Sequence, residues 1–541
     1  MNVTAQGSTL LVKFPYNPEH VTRIKSIPGR QWNSGKKAWT VPIVQYDKLV
    51  ELFPWLVTDE SVEQVRSARQ ERAELSIQTS ADFDVPGLKA ELMPFQRAGV
   101  KFIETADGRC VVADEMGLGK TLQSLAYLQL HPELRPALVV CPASLKLNWE
   151  REIAKWMTSN SRTAILSGTK PKALPDADIL ICNYDILHAW QPLLSTAGLQ
   201  VIICDEAHYL KEAKARRTAA AKLLIKQASH VLLLTGTPVL NRPKELFPLL
   251  NMVAPDAWPN FFQFAKRYCN ARQETIWVRG GGTKLVWNFD GASNLAELHG
   301  AVQPFMVRRL KADVLKELPA KRRVVVPIEL TPSAQKQYRS VLAESQAAIR
   351  ADESNALAQL EALKQAAVAA KLPAAIDWIR DFIESEKLIV FGIHKSVVDA
   401  LLEAFLAAVK VDGTTSQNQR QAAVDKFQSD PDCRLFVGNI QAAGVGLTLT
   451  AASNVAFLEY PWTPALVQQA EDRAHRIGQQ GSVTAWNLLA EGTIDEDIFE
   501  TLEAKRIVVD IVTDGSAESD LVFDRDVLAD VTKLTMERKA K

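Results

Sequence analysis

A chain of 541 residues, 47% hydrophobic and 23% charged, holds enough apolar material for several domains with cores of their own. Its 63 basic and 63 acidic residues cancel, which excludes a general polycation but leaves room for a local basic stripe. No apolar run approaches the ~18 residues of a membrane span, Met1 to Gly7 do not read as a signal peptide, and the six cysteines contain no CxxC pair, against a zinc ribbon or a disulfide framework. Most of those cysteines sit in or beside apolar strand patterns, where a small buried hydrophobe in a reducing compartment is the simplest role.

Residues 1–57 read as a small α+β module, with strands at Thr9–Phe14 and Lys37–Ile43 and helices at Pro18–Ile27 and Val44–Phe53. Seven basic residues there (Lys13, Arg23, Lys25, Arg30, Lys36, Lys37, Lys48) face three acids, and Trp32 and Trp39 bracket the lysines. That mixture suits phosphate contact with base stacking; a solvated basic face over a tryptophan-containing core has the same composition. Residues 58–85 are charged and poor in large apolar side chains, as in a solvated connecting helix, and Pro86-Gly87 ends the stretch.

From Leu88 short apolar strands alternate with helical stretches: Cys110–Ala113, Ala137–Cys141, Ile179–Cys182, Val201–Cys204 and Val231–Leu234. This is the pattern of βαβ units and a parallel sheet, with ligands at the carboxyl ends of its strands. After the first strand comes Asp114-Glu115-Met116-Gly117-Leu118-Gly119-Lys120-Thr121, then the apolar-periodic Leu122 to Leu130. Strand, Gly-rich loop and helix form the context of a phosphate-binding loop. Gly117 and Gly119 let backbone N–H groups close on phosphate oxygens, Lys120 reaches the β- and γ-phosphates, and Thr121 holds Mg²⁺. Asp114 stands where the generic pattern has its first glycine. After the fourth strand, Asp205 can bind Mg²⁺ and Glu206 can polarise the attacking water, with His208 coupling that site to a cleft; an acidic pair capping a helix is the plainer alternative.

Residues 240–310 break the alternation. They are rich in Pro and aromatics and contain a hairpin pattern around Gly280–Gly282. Arg308 to Arg323 carries seven basic residues, as a charged linker or a DNA contact would. Residues 342–371 read as one long helix. A second alternating set follows from about Leu372, with strands Leu388–Phe391, Val409–Val411, Arg434–Val437, Val455–Leu458 and Val483–Leu489 and no phosphate loop of its own. Two such sets suggest a duplicated core with a cleft. Arg473 and Arg476 fall three apart on an expected helix; across a cleft they could complete a γ-phosphate site, or they could pair with Glu471 and Asp472 on a surface helix. The tail after Glu491 keeps helical periodicity through Ile494, Ile498, Phe499 and Leu502.

Taken together and in order, DEMGLGKT (114–121), DEAH (205–208), TGTP (235–238), AGVGLTLTAA (443–452) and QQAEDRAHRIGQ (468–479) resemble the motifs of Swi/Snf-type ATPases of helicase superfamily II. That family writes its first motif with Asp114. The segment LMPFQRAGVKF resembles the one whose glutamine, here Gln96, meets adenine, whereas GNIQAAGVGL lacks the usual Ser/Thr-Lys before its glycines. NRPKELFPLLNMVAPDAW, FAKRYCN and FMVRRLKADVLKELPAKRR resemble the annealing-helicase, SMARCAL-like branch. FPYNPEHVTRIKSIPGRQWNSGKKAWTVPIVQYDKL resembles the HARP module of that branch, on Tyr16, Ile27 to Arg30, Lys37 to Trp39, Tyr46 and Leu49.

The resemblance implies an α/β fold of two RecA-like parallel-sheet lobes with helical insertions plus the small amino-terminal module. The boundaries are 1–57 for the module, 58–85 for the linker and 86–308 for lobe 1 with an insertion at about 240–305. A basic and helical linker at 309–371, lobe 2 at 372–492 and carboxy-terminal helices at 493–541 complete the chain. It implies a DNA-stimulated ATPase using ATP and Mg²⁺ to move on double-stranded or branched DNA, one nucleotide being shared by Lys120 and Arg476. Remodelling or reannealing of branched DNA is the expected outcome. A strand-separating DNA or RNA helicase and a non-hydrolysing DNA-binding scaffold are the alternatives. Lys120, Asp205, Glu206, Arg473 and Arg476 are the implied catalytic set. Gln96, Asp114, Gly117, Gly119, Thr121, Gly446 and Gln468 join Lys120 at the nucleotide. Arg30, Lys37, Trp39, Ser144, Lys146, Asn183, Gly444 and Thr448 are assigned to DNA. A monomer without membrane association is expected, cytoplasmic with the nucleoid if bacterial or viral, nuclear if eukaryotic.

Overall fold

Short strands of alternating burial open the chain: β1 Asn2–Gln6, β2 Thr9–Lys13, β3 Gln31–Asn33, β4 Ala38–Pro42 and β5 Val57–Thr58 form one sheet in the order β3-β4-β2-β1-β5. Leu10 and Val12 point inward from β2 and meet Ile24, Ile27, Val41, Leu49 and Phe53 in the module's core. Helix Pro18–Lys25 starts where the Asn17 side chain accepts from the Glu19 and His20 N–H groups, with proline at its first turn. The second helix is shorter than the expected 44–53: a 3-10 turn at Ile43–Gln45 precedes Tyr46–Leu52. The computed structural model describes all residues except 8, 159–160, 237, 239–241, 278–281, 444–446, 515–526 and 539–541. Thr237 of the TGTP motif, Gly280 and Gly281 of the expected hairpin turn, and Gly444 and Gly446, assigned above, therefore lie outside the described residues.

The charged stretch after the module is helix Glu60–Ile77, capped by the Asp59 side chain. It is docked, contrary to its reading as a solvated linker. Val62 enters the module's core, while Leu75 and Ser76 are buried further along. Arg69 donates to the Ala301 carbonyl at 3.2 Å, and its guanidinium lies over the Phe305 ring. Arg72 donates to Thr105 O and to Asp107 Oδ2, each at 2.8 Å. Arginines that lay their stems on apolar surface hide such packing from a hydropathy pattern.

The contacts within the chain separate two units. One holds Met1–Glu115 and Gly119–Val314, and the other holds Leu315–Val509 with Met116–Leu118 and the last helix. In the first, β6 Arg109–Val112, β7 Ala137–Cys141, β8 Thr163–Ile165, β9 Ile179–Asn183, β10 Val201–Asp205 and β11 His230–Leu234 form a parallel sheet. An edge strand, β14 Met306–Val307, completes the order β14-β6-β11-β10-β7-β9-β8, after the hairpin of β12 Arg272–Trp277 and β13 Thr283–Asn288. Strands of a parallel sheet are covered on both faces, which is why β7, β9 and β10 are uninterrupted buried runs. All six cysteines are buried and free. Burial pushes the thiols of Cys110, Cys182, Cys204 and Cys269 up to about 12.

The second unit has its own parallel sheet in the order β15-β20-β19-β16-β18-β17. Its strands are β15 Lys321–Ile328, β16 Leu388–Gly392, β17 Val409–Val411, β18 Leu435–Asn439, β19 Asn454–Phe457 and β20 Val483–Ala490. β15 falls in the stretch read as linker yet pairs with β20 over its full length. The single helix expected at 342–371 is two, Pro332–Ala351 and Ala356–Phe382, parted by a turn at Glu353–Asn355. The tail contributes Ile494, Ile498 and Leu502 to this unit's core, with Val527 and Val531 from the last helix.

Candidate functional site

Because every strand of the first sheet runs the same way, the segments following β6, β7, β9, β10 and β11 emerge at one edge. The loop after β6 turns through Gly117 at φ +87° and Gly119 at φ +78°, and Gly119 caps helix Lys120–Leu130. Both values favour glycine. At Gly119 there is a second restriction, since a Cβ would overlap the Gln96 amide nitrogen. Gln96 is itself buried and held by the Met93 N–H, which donates to its Oε1 at 3.0 Å. Gly119→Ala is therefore expected to abolish nucleotide binding while leaving the sheet folded. Titration with a fluorescent ATP analogue, beside a thermal melt, checks this; retained affinity would show that the loop can do without that turn.

Lys120 donates to the Asp114 carbonyl at 2.7 Å and lies closer to Glu115 O than 3.5 Å. Burial holds its ammonium below the ordinary lysine range, against the pull of Glu206, Asp114 and Asp205. Thr121 follows it, half-buried. At the end of β10 the Asp205 carboxylate accepts from Trp149 Nε1 at 2.8 Å and from the Glu206 N–H at 3.0 Å. Tyr184 donates its hydroxyl to the Asp205 carbonyl at 2.8 Å. Burial, then the Glu206 charge, pushes the Asp205 carboxyl up to about 6. Glu206 sits at φ +52°, a left-handed position that costs a non-glycine residue about 1 kcal/mol or more. His208 Nδ1 stands 3.3 Å from Glu206 Oε2. The structure thus gathers Gln96, Gly119, Lys120, Asp205 and Glu206 around one strand edge. Trp149 and Tyr184, which fasten Asp205, carry no sequence signal beyond lying after strand ends.

Asp114 differs from its expected place at the nucleotide. Its carboxylate is fully buried and turned inward, accepting from Arg309 Nε at 2.9 Å, Arg309 N at 3.0 Å, Arg309 Nη2 and Gln123 Nε2 at 2.9 Å. The neighbouring Arg308 donates to Ala113 O at 3.0 Å and Gly236 O at 3.2 Å. Lys311 N donates to Glu115 Oε2 at 2.6 Å. Residues 306–311 are thereby zipped along the entrance of the loop, where Ala113 N also donates to Val307 O and Glu115 N to Arg309 O. The basic stretch is neither a free linker nor a DNA surface at these positions: arginines and lysines beside buried carboxylates pair with them. The same holds within the second unit, where Glu471 is fully buried and accepts from Arg323 at 2.6 and 2.7 Å and from Lys321 at 3.0 Å.

Arg473 and Arg476 do not share a helix. Helix Pro464–Glu471 ends before them, and both lie in the following turns. Arg473 is buried, donating to Gln469 O at 2.9 Å and Leu447 O at 3.3 Å. Arg476 donates to Leu447 O at 3.0 Å and Thr448 Oγ1 at 2.9 Å. They do not pair with Glu471, whose partners are Lys321 and Arg323. Together they hold residues 447–448, and Gln468 is half-buried on the helix before them.

Among the residues assigned to DNA, Asn183 is buried, with its amide directed at Asp185 Oδ2, 3.3 Å away, and is withdrawn from the surface. Lys146 donates to Leu166 O at 3.0 Å. Ser144 lies half-buried in the turn Ala143–Leu145, and Thr448 is exposed. In the module, Lys37 is exposed at φ +48° and Arg30 is half-buried. Trp39 packs beside the core; its edge-on neighbour Trp32, 5.4 Å away, is the exposed one at 54%.

Residues 95–371 match the model of the SNF2-related domain and residues 371–478 that of the helicase conserved C-terminal domain. The mouse DNA annealing helicase and endonuclease ZRANB3 is 38% identical over 81% of this chain and 42% of its own. The SWI/SNF-related matrix-associated actin-dependent regulator of chromatin subfamily A-like protein 1 of Xenopus laevis is 33% identical over 93% of this chain and 54% of its own. Its Caenorhabditis elegans homolog is 33% identical over 95% of this chain and 76% of its own. The chain thus spans about half the length of the vertebrate relatives it matches. The Sulfolobus solfataricus SWI2/SNF2 ATPase core in complex with dsDNA aligns with a TM-score of 0.39 at 26% identity, covering 81% of this chain and 96% of that one. With one family match running through just over half of its residues and a nematode relative matched over three quarters of its length, the chain belongs to the SNF2-related family.

Proposed function

We propose that this chain is an ATP-driven translocase on double-stranded DNA that remodels or reanneals branched DNA. The observation that carries the reading is the half-buried Lys120, its ammonium held below the ordinary lysine range, set among Asp205 and Glu206 at the mouth of a left-handed glycine turn. A cation so placed neutralises a triphosphate, and the N–H groups beyond Gly119 add the positive end of a helix. Gly117, Gly119 and Lys120 would hold the phosphates, with Gln96 against the loop.

The donor set also fits Mg²⁺. Among the described residues no cluster of three or more metal-ligating side chains is present. Mg²⁺ needs no such cage, because it is bound by one or two carboxylates with waters and substrate phosphates. Thr121 and Asp205 would hold it, and an Asp205 carboxyl pushed up to about 6 by burial and Glu206 is a carboxylate short of positive charge. Bound there, the ion neutralises charge developing on the phosphoryl group. Glu206 orients the attacking water and takes its proton, while Trp149 and Tyr184 keep Asp205 aimed.

The relatives named as annealing helicases support the branched-DNA half of the proposal. So does the module, with exposed Trp32 and Lys37 beside half-buried Arg30. The chain works as a monomer in the DNA-bearing compartment; among the described residues no helix is long and apolar enough to cross a membrane. The test is ATP turnover on single-stranded, duplex and forked DNA. Forked and duplex DNA should stimulate more than single strands, and binding should weaken by about 10³-fold between 50 and 200 mM salt if six or more phosphates are gripped. Stronger stimulation by single strands would overturn the proposal in favour of a strand-separating enzyme.

A further inference from the structure

Residues 261–289 bring four aromatic rings and an ammonium together outside the core. Trp287 and Phe289 lie parallel, with centroids 6.2 Å apart and planes 4° apart. Phe262 meets Trp287 edge-on at 4.9 Å, and Phe261 meets Phe289 edge-on at 5.2 Å. Lys266, one turn after Phe262, holds its Nζ 4.7 Å from the Phe262 ring centre and 5.4 Å from that of Trp287. Phe262 and Trp287 are 37% and 38% exposed and Leu285 is 58% exposed. Large rings left open to water on these strands call for a partner.

The chemistry of the face selects that partner. Side chains alternate along a strand, so Leu285 and Trp287 share one side of the hairpin with their cross-strand partners Thr275 and Gln273. None of these is charged. Arg272, Glu274 and Lys284 belong to the opposite side. Among the described residues the hairpin pairs with no other strand, so its face is narrow, and Phe262 and Lys266 of the neighbouring helix border Trp287. An aromatic surface beside a lysine, whose described strand residues on this side carry no acid, fits a nucleobase attached to a phosphate: rings stack on the base and the ammonium meets the backbone.

The face also adjoins the module. Helix Phe261–Tyr268 carries Phe262 and Lys266 on one stripe and Gln263 and Arg267 on the next. The second stripe borders the module: a cavity there is lined by Pro28, Gly29, Pro42, Trp258, Gln263 and Arg267. The Gly29 turn leads directly into Arg30 and the strand of Trp32. One helix therefore joins two surfaces that expose tryptophan and lysine.

We propose that the face formed by Phe262, Lys266, Leu285 and Trp287 binds the unpaired bases of branched DNA by stacking. The proposal rests on the translocase reading only in taking DNA as the partner. It assigns duplex gripping to other residues and gives this hairpin the single-stranded arm.

The test uses the full chain without nucleotide and a fork whose arm carries 2-aminopurine. Stacking on Trp287 quenches that fluorescence. Trp287→Ala should remove the quench and weaken the armed fork about tenfold, with blunt-duplex affinity moving less than twofold, while Trp287→Phe keeps most of the binding. Leu285→Glu leaves the ring packing intact and should weaken the arm to a similar degree through charge repulsion. The proposal is overturned if both variants bind the armed fork as the parent does, or if they lose blunt duplex equally. Duplex-stimulated ATP turnover of the parent is read separately. A chain stimulated by duplex whose variants keep the arm refutes this site alone, and a chain that no DNA stimulates refutes the translocase reading while the quench still decides the site.

Discussion

Lys120→Ala should cut ATP turnover by ~10³-fold or more, because it deletes a fixed positive charge at the head of the phosphate loop. The structure adds a sign that distinguishes this loss from unfolding. Lys120 is half-buried, desolvation holds its pKa below the ordinary value, and its hydrogen bonds go to main-chain carbonyls. Removing it relieves that desolvation, so thermal stability should hold or change little while turnover collapses. Steady-state ATP hydrolysis at saturating duplex, measured beside a melt, gives both numbers. Turnover close to the parent's would remove Lys120, and with it the whole loop, from the site.

The largest stability effect is expected at Arg309. Its guanidinium is buried against the equally buried Asp114, with Gln123 Oε1 and the Phe95 carbonyl as further acceptors. Arg309→Met leaves a buried carboxylate without its cation, a change that costs about 3–5 kcal/mol. For a unit of this size that lowers the melting temperature by ~10 °C. Adding Asp114→Leu should recover much of the loss, since an apolar pair of similar volume replaces a buried ion pair at little or no net cost. Urea unfolding of the parent, the single variant and the double variant measures this. A single-variant loss under ~1 kcal/mol would mean that water reaches the pair.

The parallel strands were legible because both of their faces are covered, so β7, β9 and β10 are nearly unbroken apolar runs bounded by turn residues. The phosphate loop was legible because Gly117, Gly119 and Lys120 need fixed spacing. What stayed hidden depends on partners distant in sequence. β14 has two residues and β8 three, each a strand only through its neighbour. β15 is a run of basic residues and valines in which Lys321 and Arg323 are answered by Glu471, about 150 positions later. For the same reason Asp114 read as a nucleotide contact and Arg308 to Arg323 as a charged linker or a DNA contact. A sequence shows charges, and their pairing needs the fold. The turn after Glu471 was misread as helix because Arg473 and Arg476 keep helical spacing while their side chains bond to Leu447 O.

The six buried thiols give the protein an internal clock. Four of them line the strands of the first sheet, Cys269 lies in the insertion and Cys433 in the second unit. Raised by burial, they have almost no thiolate at neutral pH and no path to reagent in the closed protein. Alkylation must therefore wait for local opening, so the order in which the cysteines are modified ranks the regions of the chain by how often each one breathes.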